Sequence, residues 1–156
     1  MDMIPKMAGG DSSVIRGNFV VLRADSLRLL LPQADVRSTE YIEGAPCASA
    51  VGGVFTPVDD ADSTQTVFAL SEEMVPLAEF PAGRFLRTKL ATEAEEVSFA
   101  WDEVRVLIDA EFEQRPLPSV MRVSDALVDS YVDLDGDLVF CMSADRLISR
   151  AVSCLG

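Results

Sequence analysis

Apolar and polar residues alternate with a period of two over residues 84–90 and 97–108, the pattern of strands with one buried face, and short apolar runs punctuate the rest of the chain. Two short apolar runs, residues 18–23 and 27–31, are separated by Ala24-Asp25-Ser26 and read as a hairpin by length and composition. Pro32 closes the second run, and residues 33–41 are expected to form a short helix with Val36 and Ile42 facing inward. Strand patterns resume at 66–70 and 74–80, where Pro76 implies an edge strand or a bulge. Leu86, Thr88 and Leu90 share one side of the next segment, opposite Phe85, Arg87 and Lys89. Val97, Phe99 and Trp101 then alternate with Ser98 and Ala100, and Val104, Val106 and Ile108 continue with the same period. Pro116 and Pro118 mark a turn before a further apolar run at 120–123.

The clearest local signal is the segment 131–140. Its two arms flank Asp135-Gly136, a pair suited to a type I′ turn because both central residues need positive φ. Ser143 is placed to cap a terminal helix, with Asp145 in its first turn and Leu147, Ile148, Ala151 and Val152 on one face. Residues 44–66 differ in kind, being rich in Gly, Ala, Ser, Thr, Pro and Asp, and read as one long acidic loop whose shortening would change stability little. Residues 1–17 read as a flexible tail and 18–156 as one folded domain. About ten short strands and one helix predict an all-β domain of barrel or sandwich type.

Composition narrows the chemistry. The chain has 156 residues, 49% of them hydrophobic, and no histidine. Ser-His-Asp and Cys-His nucleophile systems and His-ligated zinc are therefore excluded within it. Cys47, Cys141 and Cys154 are far apart with no CxxC spacing, so neither a Cys-only zinc site nor a dithiol redox pair is expected. Cys141, inside an apolar run, reads as an inert buried thiol. The net charge of −13 argues against nucleic acid and anionic membranes as partners. No run approaches the length of a membrane span, and residues 1–10 lack the apolar core of a signal peptide, so the expectation is a cytoplasmic protein without membrane insertion. From Glu40 to Gly83 there is no Lys or Arg, and Arg84, Arg87 and Lys89 follow as a compact basic group.

Candidate motifs mostly reduce to structure. Asp133, Asp135 and Asp137 around Gly136 do not fit an EF-hand, which would put Tyr131 and Met142 at ligand positions. Asp102, Glu103, Asp109, Glu111 and Glu113 could supply a carboxylate pair, but alternation turns such residues outward by default. Gly9-Gly10 and Gly52-Gly53 lack the following lysine of a phosphate loop. No cofactor motif is present. Trp101, the only tryptophan, is expected in the core, with an interface role as the alternative.

Four segments in order resemble the CheW-like domain family, the adaptor modules of bacterial chemosensory arrays. Residues 18–36 resemble its opening hairpin and short helix. Residues 66–80, with Leu70 and Met74-Val75-Pro76-Leu77, resemble its Asn-Leu-Arg-Gly and Val-Pro-Val segment, and residues 97–104 its Val-Asp-Glu-Val strand. Residues 131–148 resemble the closing hairpin and helix, so the likeness spans about 18–149. Ser38 and Ser71 stand where the family usually carries a paired glutamate and arginine, which marks a divergent member.

The resemblance implies two small five-stranded, SH3-like barrel subdomains packed together with a C-terminal helix. It implies a non-enzymatic adaptor that couples receptors to a histidine kinase, binding the kinase regulatory domain and the cytoplasmic tip of a chemoreceptor. The matching positions are Val36, Ser38, Leu70, Ser71, Trp101, Asp102 and Val104. Two other readings stay open: a structural or regulatory β-domain outside chemotaxis using its acidic loop, and a carboxylate-dependent hydrolase.

Overall fold

The computed structural model describes residues 13–42, 47–48, 54–56, 67–93, 95–118, 128 and 130–153. Strands β1 (Ser13–Ala24) and β2 (Leu27–Pro32) form the expected hairpin, with Asp25 at φ +56 in its two-residue turn. Asp tolerates this left-handed conformation better than most residues. A 3-10 turn, Gln33–Asp35, leads into β3 (Val36–Tyr41). Then come β4 (Cys47–Ala48), β5 (Val54–Thr56), β6 (Val67–Ala69), β7 (Leu86–Ala91) and β8 (Glu96–Trp101). The long β9 (Glu103–Pro116), β10 (Ser130–Leu134), β11 (Asp137–Cys141) and helix α1 (Ala144–Ser153) complete the chain.

The strands sort into a closed barrel, β1-β2-β11-β10-β9, and a six-stranded sheet, β3-β7-β8-β6-β5-β4. β11 closes onto β2 in parallel, through Phe140 beside Leu29 and Cys141 beside Leu30. The all-β, two-unit architecture with a C-terminal helix is therefore as expected, while the second unit carries six strands rather than five.

The first hairpin explains how the units share a core. Phe19, Val21 and Leu30 point into the barrel with Val132 and Val139. Their neighbours Val20, Leu22, Leu29 and Leu31 point the other way, against Phe68, Leu70, Leu90, Phe99 and Trp101 of the second sheet. A strand buried on both faces reads as a continuous apolar run, as residues 19–22 and 29–31 do. Helix α1 adds Ala144, Leu147, Ile148 and Ala151 to the same inter-sheet core, one stripe at helical spacing. Its first turn is capped twice: the Ser143 hydroxyl accepts the Arg146 N–H at 3.3 Å, and the Asp35 carboxylate accepts the Ala144 N–H at 2.9 Å. At the 131–140 hairpin both turn residues have positive φ, Asp135 at +55 and Gly136 at +88, as the Asp-Gly pair implied.

Several local expectations are corrected. Residues 33–41 do not form a helix beyond the single 3-10 turn, because β3 pairs with β7 over 36–41. Residues 74–80 form no strand: Leu70 and Pro76 make an isolated bridge, Met74 sits at φ +62, and the Ser71 backbone closes the loop by bonding to Met74 and Val75. Pro76 has no N–H to extend a ladder. β1 reaches back to Ser13, into the segment expected as tail, because β9 offers a partner as far as Gln114. Within 44–66, β4 and β5 extend the second sheet, and Phe55 is only 2% exposed, its ring edge-on to Phe80 at 5.2 Å. That stretch is thus partly built into the fold. The run at 120–123 lies outside the described residues.

The period of two along β9 is broken by a bulge. Gly17 faces Ala110 while Phe19 faces Leu107, so Asn18 stands opposite both Ile108 and Asp109. Asp109 takes φ +50, and its N–H donates to Asn18 Oδ1 at 2.8 Å. Of Val104, Val106 and Ile108, only Val104 packs on the inter-sheet core; Val106 and Ile108 are exposed.

Candidate functional site

Of the seven positions singled out by the sequence, four line the core between barrel and second sheet. Val36, Leu70, Trp101 and Val104 all contribute to the inter-sheet core. Leu70 and Trp101 are fully buried, and the Trp101 indole N–H donates to the hydroxyl of buried Thr88 at 2.8 Å. Trp101 is therefore packing, as expected, and it shapes the seam from beneath. Ser38 is half-buried on β3. Ser71 uses its hydroxyl locally, accepting the backbone N–H groups of Glu73 at 3.2 Å and Val75 at 3.3 Å. That arrangement is the Ser/Thr turn chemistry such residues favour at loop starts.

Asp102, between β8 and β9, opens onto a polar network that the sequence did not announce. Its Oδ2 accepts the Asp25 N–H at 2.6 Å. The same oxygen lies 3.5 Å from Nε of Arg84, whose side chain is fully buried, although Nε is outside hydrogen-bond geometry. Arg84 Nη1 donates to the Leu70 carbonyl at 2.8 Å, and Nη2 faces the Asp25 carboxylate at 3.5 Å. From the neighbouring loop the Glu72 carboxylate accepts both the N–H and the hydroxyl of Ser26. These two bonds hold the Glu72 carboxyl below the usual range. Arg23 completes the turn, donating to the Asp25 carbonyl at 3.0 Å and pairing with Glu103 at 3.2 Å. The β1–β2 turn is thereby tied to both sides of the seam.

Sequence reasoning placed Arg84 with Arg87 and Lys89 in one compact basic group. Arg87 and Lys89 do lie on β7, where Arg87 pairs with Glu40 and lowers its pKa. Arg84 instead stands just before β7, where the chain dives under the seam, and no period-two argument separates the two environments. The positive-φ turn at Asp25 and the acid at 102 were visible as residues, but their meeting is a tertiary event.

Exposed apolar residues include Val106 and Ile108 on the outer face of β9, and Tyr41 with Phe85 at the β3–β7 end of the second sheet. Two shallow clefts elsewhere are lined by Gln114, Ser130, Cys141, Met142, Ser143 and Arg146, and by Asn18, Pro32, Gln33 and Ala34. Neither lining includes a carboxylate among the described residues. Cys141 is half-buried between the barrel core and the first of them, less enclosed than expected. No helix among the described residues is long and apolar enough to cross a membrane.

Among solved structures, the chain is similar to the scaffolding protein TtCheW from Thermoanaerobacter tengcongensis. The superposition has a TM-score of 0.52 and 15% sequence identity, covering 81% of this chain and 88% of that one. No family model matches the sequence. No curated protein matches it either. The protein has a CheW-like fold.

Proposed function

We propose that this chain is a non-enzymatic adaptor of a chemosensory-type signalling system, a single CheW-like domain over residues 18–156 that couples receptors to a histidine kinase in the cytoplasm. The observation that carries the reading is the seam itself. The four ordered sequence segments that resemble the CheW-like family supply the hairpin, the Leu70–Val75 loop, the Trp101–Val104 junction and the closing helix, and these meet at one seam where the barrel packs on the second sheet. The similarity of the fold to a scaffolding protein supports it independently of sequence.

In this reading Ser38, Ser71, Asp102 and the half-buried edges of Val36 and Val104 meet the partner. Leu70 and Trp101 act from below by holding the shape. The kinase regulatory domain and the chemoreceptor tip are the partners, and the chain's strong negative charge favours partner surfaces with a basic rim. Ser38 and Ser71, in place of an ion pair, leave this docking surface without fixed charge at those two positions.

Isothermal titration of the protein with a receptor-tip fragment and with the kinase regulatory domain from the same organism tests the proposal. Saturable binding to at least one, weakened by Asp102→Ala with the fold retained, is expected. Absence of heat with both partners at several hundred micromolar refutes the adaptor reading.

A further inference from the structure

Arg84 is the one fully buried cation among the described residues, and its surroundings are unequal. One counter-charge, Asp102, is mostly enclosed, with 18% of its side chain exposed; the other, Asp25, is 61% exposed and belongs to the barrel's first turn. The remaining contact is to the Leu70 carbonyl, on the second sheet at the edge of the Ser71 loop. A guanidinium cannot shed its charge, and its planar fork fixes the geometry of everything it touches. Burying it is costly unless it stays paired, so its position depends on both carboxylates.

We propose that Arg84 is a positioning residue that relays engagement of the exposed Asp25 carboxylate, by a cationic side chain of a partner, to the Leu70–Ser71 peptide. A cation at Asp25 competes for the carboxylate that Nη2 faces. Arg84 then leans on Asp102, whose oxygen already lies 3.5 Å from its unused Nε, and the bond from Nη1 to the Leu70 carbonyl changes. The Ser71 N–H belongs to that same peptide unit and donates to the Val75 carbonyl at 2.9 Å, so polarisation of the Leu70 carbonyl alters a bond that shapes the loop. The net charge of −13 steers cationic groups toward the protein. The functional consequence rests on the adaptor reading; the relay inside the molecule does not.

The relay is read without any partner, from amide NMR spectra in which Asp25→Asn stands for a neutralised Asp25. Glu72→Ala serves as the background, because the Ser26–Glu72 contact is a parallel path between turn and loop. Asp25→Asn is expected to shift the Ser71 amide in that background, and the shift is expected to vanish when Arg84→Met is added. Where Arg84→Met does not fold, Arg84→Lys replaces it; lysine keeps the charge but lacks the fork, and at least half of the shift is expected to be lost. An unmoved Ser71 amide in Asp25→Asn/Glu72→Ala overturns the relay, as does a shift of equal size with and without the arginine. Titration of a partner that binds the wild type then separates the two readings. Failure of every partner to bind refutes the adaptor and leaves the spectral result standing, whereas a folded Arg84→Lys variant with unchanged affinity and unchanged Ser71 response refutes the relay alone.

Discussion

Replacing Trp101 by phenylalanine probes the inter-sheet core through a hydrogen bond and a volume change at once. The indole is fully buried, its centroid is 6.0 Å from that of Phe99, and its N–H donates at 2.8 Å to Thr88, itself fully buried. Trp101→Phe leaves the Thr88 hydroxyl without its donor, at a cost of about 1–3 kcal/mol for an unsatisfied buried group. The smaller ring adds a cavity cost of roughly 1 kcal/mol, for a total of about 2–4 kcal/mol. Thr88→Val in the wild type strands the indole N–H and should cost a similar 1–3 kcal/mol. In the Trp101→Phe background, however, Thr88→Val removes a polar atom already orphaned and should be nearly neutral or stabilising. A double-mutant cycle on urea midpoints, followed by far-UV circular dichroism because two of its four proteins lack the single tryptophan, should therefore show coupling of about 1–3 kcal/mol at constant m. Strict additivity would refute the hydrogen-bond argument. A midpoint that barely moves while partner binding collapses would place Trp101 in an interface instead.

Three further outcomes follow from named contacts. The Ser26 bonds depress the Glu72 pKa and Arg87 depresses that of Glu40, so both contribute stability that is present above the ordinary carboxylate value of 4.5 and is lost as pH falls through their folded values. Urea midpoints of wild type and Glu72→Gln should accordingly differ at pH 7 and converge as pH falls through the lowered Glu72 value. Replacing residues 45–63 by a Gly/Ser linker removes β4, β5 and Phe55; thermal unfolding should show a loss of about 3–5 kcal/mol, as for Phe55→Ala, and an unchanged midpoint would return the segment to the status of a spacer. Asp35→Ala deletes the acceptor for the Ala144 N–H, and should lower stability by about 1 kcal/mol, with faster amide exchange confined to the first turn of α1.

Local chemistry was enough to define the elements whose cause is local. The period of two marked β7 and β8, Asp135-Gly136 specified a positive-φ hairpin turn, and the spacing of Leu147, Ile148 and Ala151 behind Ser143 specified an amphipathic helix, because in each case the needed information lies within a few residues. The apolar runs at 19–22 and 29–31 predicted the hairpin, and the packing of barrel against sheet is what covered both of its faces. Where a segment's state depends on a distant partner, the same reasoning failed. Val36–Tyr41 became a strand because β7 lay beside it, and Ser13–Gly17 joined β1 because β9 extended to meet them. Phe55 was drawn inward by Phe80 across an interval of sequence that no short-range pattern spans. The bulge opposite Asn18 shifted the barrel-facing positions of β9 from Leu107 to Ala110 and Phe112. Ile108, on the same face as exposed Val106, stayed in solvent although its apolar alternation read as buried. The seam is the extreme case: Asp25, Leu70, Arg84 and Asp102 are spread over 77 positions, and a guanidinium looks the same in sequence whether it lies on a surface or beneath one. Only the packing of barrel against sheet removed its water and left two carboxylates and a carbonyl to replace it.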